Sequence, residues 1–280
     1  MNYNKLQILE FKLESMVPHP AIVMVAKRGS GKSWITRDII YNYRDMPCGA
    51  VISPTDRLSS FYKFFFPDIY IHYDINETIF KKMLARQMKI KNKSDNRKHR
   101  GLATLDTRCI CVMDDCLAAK GTWEKSVTIR EILMNGRHYD LTYILTMQTP
   151  LGIGPELRLN FDYVFLLKDD SAINLKKLHQ NYASVFKTQI AFEQVFLKCT
   201  EDYKAMVINN KSISTDLKDK VFWFKANDRK FVFGSKKFRE LHKKYYDPNY
   251  LVKQAAKMLD GDIYGMKRRG EDICVNLKKM

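Results

Sequence analysis

Residues 26 to 33 read Ala-Lys-Arg-Gly-Ser-Gly-Lys-Ser, directly after the apolar run Ala21-Ile22-Val23-Met24-Val25 and directly before Trp34-Ile35-Thr36-Arg37-Asp38-Ile39-Ile40. The first run is short and apolar, and the second repeats its apolar residues at helical spacing. The stretch therefore predicts strand, loop and helix in immediate succession. Gly29 and Gly31 open backbone angles closed to other residues, so successive N–H groups can turn inward around an anion at a helix N-terminus. Lys32 adds a cation with the reach of a β- or γ-phosphate, and Ser33 adds a hydroxyl suited to Mg²⁺, which together make a phosphate-binding loop. Ala26 stands where such loops usually carry Gly, at a position that ends the strand and needs only a small residue. Lys27, Arg28, Gly29, Ser30, Gly31, Lys32, Ser33 and Trp34 are the candidate contacts to ATP.

Further apolar runs follow at 48–55, 109–113, 141–147 and 162–167, with helical patterns between them at 33–44, 76–88 and 126–135 and a short helical turn at 152–160. Strands joined by crossovers of that length predict a mainly parallel sheet in an α/β fold. Gln7 to Phe11 reads as a short edge strand and Ile69 to Tyr73 as a further strand. Phe61 to Phe66 is strongly aromatic; core packing is the expected use of these rings, and stacking on bases is the alternative.

The second chemical landmark is Cys109-Ile110-Cys111-Val112-Met113-Asp114-Asp115. Five apolar residues ending in two carboxylates describe a buried strand that delivers acids to the C-terminal edge of the sheet, where ligands bind in open α/β folds. Asp114 is the candidate for the Mg²⁺ shell, as a Walker B aspartate, and Asp115 the candidate to polarise the attacking water. The run 141–147 ends at Gln148, an uncharged amide placed to sense the γ-phosphate or its attacking water.

The 280 residues carry a net charge of +17 with 45% hydrophobic content, enough for a real core and an argument for a polyanionic partner. Lys89 to Arg100 has six Lys or Arg against one Asp and reads as a mobile basic insertion, placed at about 89–104, that either touches DNA phosphates or is merely solvated. From 204 to 280 the balance is +10, so more than half of the net charge falls in the last quarter. Six Cys include no C-x-x-C pair and read as reduced core thiols rather than metal ligands. Charged residues interrupt Met1 to Met16, which excludes a signal peptide there, and no run approaches the length of a membrane span.

On these motifs the sequence resembles the genome-packaging ATPases of nucleocytoplasmic large DNA viruses, poxvirus-type, in the FtsK–HerA branch of P-loop ATPases. The resemblance rests on Ala26 to Ser33, Ile110 to Asp115, Asn135-Gly136-Arg137-His138, Thr146 to Gln148 and Leu157 to Phe165, and covers roughly residues 20 to 170. Asp114-Asp115 departs from the Asp-Glu common in the wider branch. The resemblance implies an additional-strand, RecA-like sheet of order 5-1-4-3-2, with the Gln148 strand between the two Walker strands. It also implies a homo-oligomeric ring, hexamer or pentamer, in which an Arg of one subunit completes the site of the next; Arg137 and Arg158 are the two candidates. Implied with these are double-stranded DNA as substrate, capsid, portal or nuclease proteins as further partners, and a place in the host-cell cytoplasm at the virus factory or with the virion.

The expected organisation is an N-terminal extension (1–19), a P-loop ATPase core (20–170) and a basic C-terminal α/β extension (171–280) whose strands and helices enlarge the sheet. Strands are expected at 203–208, 221–224 and 231–233, and helices at 171–186, 188–200, 235–246 and 249–259. The expected function is an ATP-driven DNA translocase with ATP and Mg²⁺ at Ala26 to Ser33 and Asp114. A P-loop nucleotide kinase and a non-hydrolysing DNA-binding scaffold are the alternatives.

Overall fold

The computed structural model describes residues 6–116 and 120–250. They fall into two compact units that divide after His242, and the second is described only as far as residue 250. Nine strands run in chain order as β1 (Leu9–Glu10), β2 (Ala21–Val25), β3 (Gly49–Ile52), β4 (Ile71–His72), β5 (Cys109–Met113), β6 (Leu141–Met147), β7 (Tyr163–Leu167), β8 (Ala205–Asn209) and β9 (Val221–Phe224). The helices are α1 (Lys32–Asn42), α2 (Asp56–Ser59), α3 (Glu77–His99), α4 (Lys120–Trp123), α5 (Val127–Asn135), α6 (Pro155–Arg158), α7 (Ala172–Tyr182), α8 (Gln189–Cys199) and α9 (Lys236–Tyr245). Among the described residues no helix is long and apolar enough to cross a membrane.

All nine strands join one sheet in the order β1-β9-β8-β7-β2-β6-β5-β3-β4. Its middle, β7-β2-β6-β5-β3, is parallel throughout, and numbered along the chain as five core strands it is the expected order 5-1-4-3-2. Four strands lengthen it: β4 beyond β3, and β8, β9 and β1 beyond β7, with β8 antiparallel to both of its neighbours. The parallel strands place the residues that follow β2, β3, β5 and β6 along one edge, which becomes the site.

Strand side chains alternate between faces, and here both faces are covered, which explains why the strands read as unbroken apolar runs. Ile22, Met24, Ile110, Val112 and Ile144 pack with Ile35 and Ile39 of α1 and with Tyr62, Phe65 and Phe66. Val23, Cys111, Tyr143 and Leu145 pack on the other face against Phe80 of α3, Ile132 of α5, Leu178 of α7 and Phe192 of α8. Most of the aromatic stretch is core: Tyr62, Phe65 and Phe66 are buried, Phe61 is half-buried, and Phe64 is the ring turned to solvent. Phe66 stacks on Phe233 at 4.4 Å, an arrangement worth about 0.5–1.5 kcal/mol beyond the area it buries. Gly49 permits this cluster, because a Cβ there would stand 2.7 Å from Ile110 Cγ2 and 2.9 Å from Phe233 Cε1.

Two expectations are corrected. The basic run at 89–100 is not a loop: α3 continues through it to His99, a rod of roughly 35 Å at the helical rise of 1.5 Å per residue. Lys and Arg are good helix formers and no Gly or Pro intervenes before Gly101, so low apolar content alone misleads. The helix is also anchored, since buried Gln87 donates to the Thr107 and Tyr139 carbonyls and Lys91 pairs with Asp140 at 2.8 Å. Residues 231–233 do not join the sheet either; the Phe233 and Gly234 N–H groups donate instead to the Phe65 and Arg44 carbonyls. Most of the helix expected at 249–259, and also Lys267 to Arg269 and Cys274, lie outside the described residues.

Candidate nucleotide site

β2 ends in buried Ala26, whose N–H donates to the Met147 carbonyl at 2.9 Å, so the loop leaves the sheet beside the end of β6. Gly29 (φ +80°) and Gly31 (φ +96°) both take the left-handed conformation expected of the turn, and no heavy atom would crowd a Cβ at Gly29. The Trp34 and Ile35 N–H groups return to the Gly31 carbonyl, closing the first turn of α1. The N–H groups of Lys32 and Ser33 begin that turn without intrahelical acceptors, the arrangement that binds phosphate. Ser30 turns inward on the loop, its hydroxyl donating to the Lys27 carbonyl at 2.6 Å. Lys27 pairs with Asp170 at 2.6 Å, a bond that raises the lysine pKa and lowers that of the carboxyl.

Opposite the loop, the ends of β5 and β6 form a small polar network. Lys32 Nζ donates to Asp114 Oδ1 at 2.9 Å and to Thr146 Oγ1 at 3.2 Å. The Thr146 hydroxyl donates to the same Asp114 oxygen at 2.5 Å and accepts the Asp115 N–H at 3.2 Å. One hydroxyl thus uses its donor and both acceptor positions. Asp115 sits at φ +56°, a conformation that Asp tolerates better than most residues, and its Oδ1 accepts from Gln148 Nε2 at 2.6 Å. The two residues expected to handle the attacking water are therefore in direct contact.

Loop and network face a cleft of roughly 920 Å³, open to solvent, that Lys27, Arg28, Trp34 and Gln148 also line. The stretch after β9 supplies Lys225, Ala226 and Asp228 to its far wall. Buried Asp38 of α1 fastens that stretch by accepting from the Asn227 N–H and from Arg229 Nε. Tyr203, at φ +57° and 68% exposed, lies against the loop, its Cδ1 3.5 Å from where a Gly31 Cβ would stand. Trp34 is half-exposed, with the Arg37 guanidinium 5.2 Å from its ring centre.

Arg137 and Arg158 are elsewhere. Arg137 precedes β6, at the edge where the parallel strands begin, and donates to Asp162 Oδ1 at 3.0 Å. The other oxygen of Asp162 accepts from the Ala21 N–H, so the pair ties together the starts of β2 and β7. Arg158, at the end of α6, donates to the Ile153 carbonyl. Neither lines the cleft. The donor set that does, a Ser33 hydroxyl and an Asp114 carboxylate, consists of hard oxygens and fits Mg²⁺, which keeps several waters and takes few protein ligands. Thr146, Tyr203, Tyr62 and Asp56 are not among the expected site residues, although Thr146 opens one of the family-like motifs and Tyr62 belongs to the aromatic stretch expected in the core. Thr146 alone left a usable signal, a polar residue inside an apolar strand two positions before Gln148.

The sheet order, the phosphate loop after β2 and the paired acids after β5 define a P-loop NTPase fold with an additional strand, β6, between its two Walker strands. No family model matches the chain. It is 56% identical over its full length to the uncharacterized protein L437 of Acanthamoeba polyphaga mimivirus, 99% of which is covered. It is 31% identical to the uncharacterized protein 075L of Invertebrate iridescent virus 6, over 82% of this chain and 87% of that one. The genome-packaging NTPase B204 of Sulfolobus turreted icosahedral virus 2, solved with AMPPCP, superposes with a TM-score of 0.54 at 17% identity, over 76% of this chain and 100% of B204. The chain belongs to one family with these mimivirus and iridescent-virus proteins, and its fold is that of the viral NTPase B204.

Proposed function

We propose that this chain is an ATP-driven translocase that moves double-stranded DNA into a viral capsid. The observation that carries the reading is the Lys32–Thr146–Asp114 network, which the Asp115 N–H joins through Thr146 to the Asp115–Gln148 contact along one cleft. In that cleft the loop N–H groups and Lys32 hold the phosphates. The ammonium has three donors, of which Asp114 and Thr146 take two. Ser33 and Asp114 would hold Mg²⁺, whose charge offsets that of the phosphate oxygens. Asp115, oriented by the Gln148 amide, accepts a proton from the attacking water as it moves onto the γ-phosphate. Tyr203 offers its exposed face to the base.

Arg158 or Arg137 of a neighbouring subunit completes the charge stabilisation in a homo-oligomeric ring. The exposed cations of α3, Lys89, Lys93 and Lys98, with Arg100 at its C-cap, suit the phosphate backbone as a rigid helical surface rather than as a loop. Binding through such contacts is steeply salt-dependent and nearly indifferent to sequence. The test is ATP hydrolysis with and without duplex DNA by the wild-type protein, Lys32→Ala and Asp115→Asn. The expected result is DNA-stimulated turnover in the wild type alone, and robust turnover by both variants would overturn the assignment.

A further inference from the structure

Ser53 follows β3 as Asp114 follows β5, and the two strand ends are locked together by the Asp114 N–H, which donates to the Ile52 carbonyl at 2.9 Å. The chain leaving β3 turns at once into α2, whose first residue, Asp56, is 1% exposed and lines the nucleotide cleft. Its Oδ1 is fully used, accepting from the Ser59 hydroxyl and the Tyr62 N–H, each at 3.1 Å. Its Oδ2 is buried and has no hydrogen-bond partner in the protein. The Tyr62 hydroxyl, on a side chain that is also 1% exposed and lines the same cleft, is likewise buried without a partner. That hydroxyl lies near the Asp114 side chain and in the field of the Asp56 carboxylate.

Two unmatched polar atoms on one wall are costly, since each forgoes water without gaining a bond. Thr146, in the same site, has its hydrogen-bonding capacity filled within the protein. An acceptor that can only receive a proton, lining the same cleft as a hydroxyl that can give or take one, matches a bound water molecule. Water carried by a divalent cation is the best donor available to such a carboxylate, and Mg²⁺ held through one carboxylate and one hydroxyl retains several waters.

We propose that Asp56 and Tyr62 form the outer wall of the Mg²⁺ site, with Asp56 Oδ2 accepting a hydrogen bond from a metal-bound water that the Tyr62 hydroxyl also contacts. The residues position the hydrated cation against Asp114 and do not touch the phosphates. This rests on the reading of the cleft as an ATP–Mg²⁺ site.

The test uses the full chain and a fluorescent ATP analogue, titrated at increasing Mg²⁺ and in EDTA, with wild type, Asp56→Asn and Tyr62→Phe. For Asp56→Asn, the Mg²⁺ concentration at half-maximal stimulation of binding should rise roughly tenfold or more, with a smaller rise for Tyr62→Phe, while affinity in EDTA stays unchanged. Without nucleotide or metal, Asp56→Asn should melt at or above the wild-type temperature, because a buried unmatched charge is removed. Tyr62→Phe, which deletes one unbonded oxygen, serves as the second variant should Asp56→Asn not fold. Wild-type Mg²⁺ dependence in the variants would overturn the inference and leave the nucleotide reading intact. Failure of the wild-type protein itself to bind the analogue would overturn both.

Discussion

Lys32 and Asp114 meet at 2.9 Å across 82 positions of sequence, and the Thr146 hydroxyl bonds to both. The lysine comes from the loop after β2, the aspartate from the end of β5 and the threonine from β6, which lies between those strands. The additional strand therefore contributes the residue that joins the two Walker motifs. Replacing Thr146 by valine preserves shape and removes one donor and two acceptor positions. A hydrogen bond to a charged, buried group is worth about 1.5–3 kcal/mol, so Thr146→Val should lower the unfolding free energy by about that amount in urea titration. Turnover should fall more than nucleotide affinity, because the loop N–H groups remain. A variant with wild-type stability and turnover would rule out the network as drawn.

Tyr203 offers an exposed aromatic face beside Gly31, and stacking on a base is worth roughly 1–3 kcal/mol by alanine substitution. Tyr203→Ala should thus weaken ATP binding roughly tenfold or more, while Tyr203→Phe retains it. Inorganic triphosphate, which has no base, should compete equally well in all three proteins. Equal loss of ATP and triphosphate would mean that the ring supports the loop instead.

The protein should lose stability as pH falls through the histidine range. Loss of hydration lowers the pKa of His19 and of His72 from 6.5, with Lys91 and Arg108 adding to the effect at the first, Asp140 and Asp106 opposing it, and Lys82 adding to it at the second. A lowered folded-state pKa means that, below pH 6.5, the unfolded chain binds protons the folded chain resists. The contribution is full above that pH and is lost as pH falls through the folded-state values. Urea midpoints measured from about pH 7.5 to about pH 5.5 should decline, and less steeply in a His72→Gln variant. An equal decline in that variant would remove His72 from the account.

How far the sequence reveals this arrangement depends on whether a feature is local. The phosphate loop, Asp114-Asp115 and Gln148 each close an apolar strand, and the strand pattern fixes the edge on which they meet. Asp56 gives no such sign, because an acid after a strand usually caps a turn, and only tertiary packing separates its bonded oxygen from its unbonded one. Tyr203 lies in the turn that leads into β8, the strand added beyond β7, and reaches the loop through sheet topology alone. The basic segment at 89–100 misleads for a physical reason: helix stability there comes from a few anchors, buried Gln87, Lys91 to Asp140 and the Ser94 hydroxyl accepting from the Leu105 N–H, that no periodicity exposes.

Arg137 and Arg158 have different duties in this fold, and a mixing experiment separates them. Arg137 is paired with Asp162, whose side chain is only 4% exposed and also accepts from the Ala21 N–H. Removing the arginine leaves a buried carboxylate with Lys211, at 3.8 Å, as its nearest cation. Arg137→Ala should therefore cost about 1–3 kcal/mol of stability, below the value for a fully buried pair because the guanidinium is half-exposed. Arg158 donates to the Ile153 carbonyl and lies against the Tyr182 hydroxyl, and its loss leaves no buried charge unpaired, so Arg158→Ala should cost less stability than Arg137→Ala. If Arg158 acts in a neighbour's site, Arg158→Ala subunits and Lys32→Ala subunits are each inactive alone. Mixed together, they place an intact Lys32 site beside a subunit that carries Arg158, and DNA-stimulated hydrolysis returns. Mixing Lys32→Ala with Arg137→Ala should restore less, since the second defect lies within the subunit's own fold. Recovery confined to the Arg137→Ala mixture would reverse the assignment.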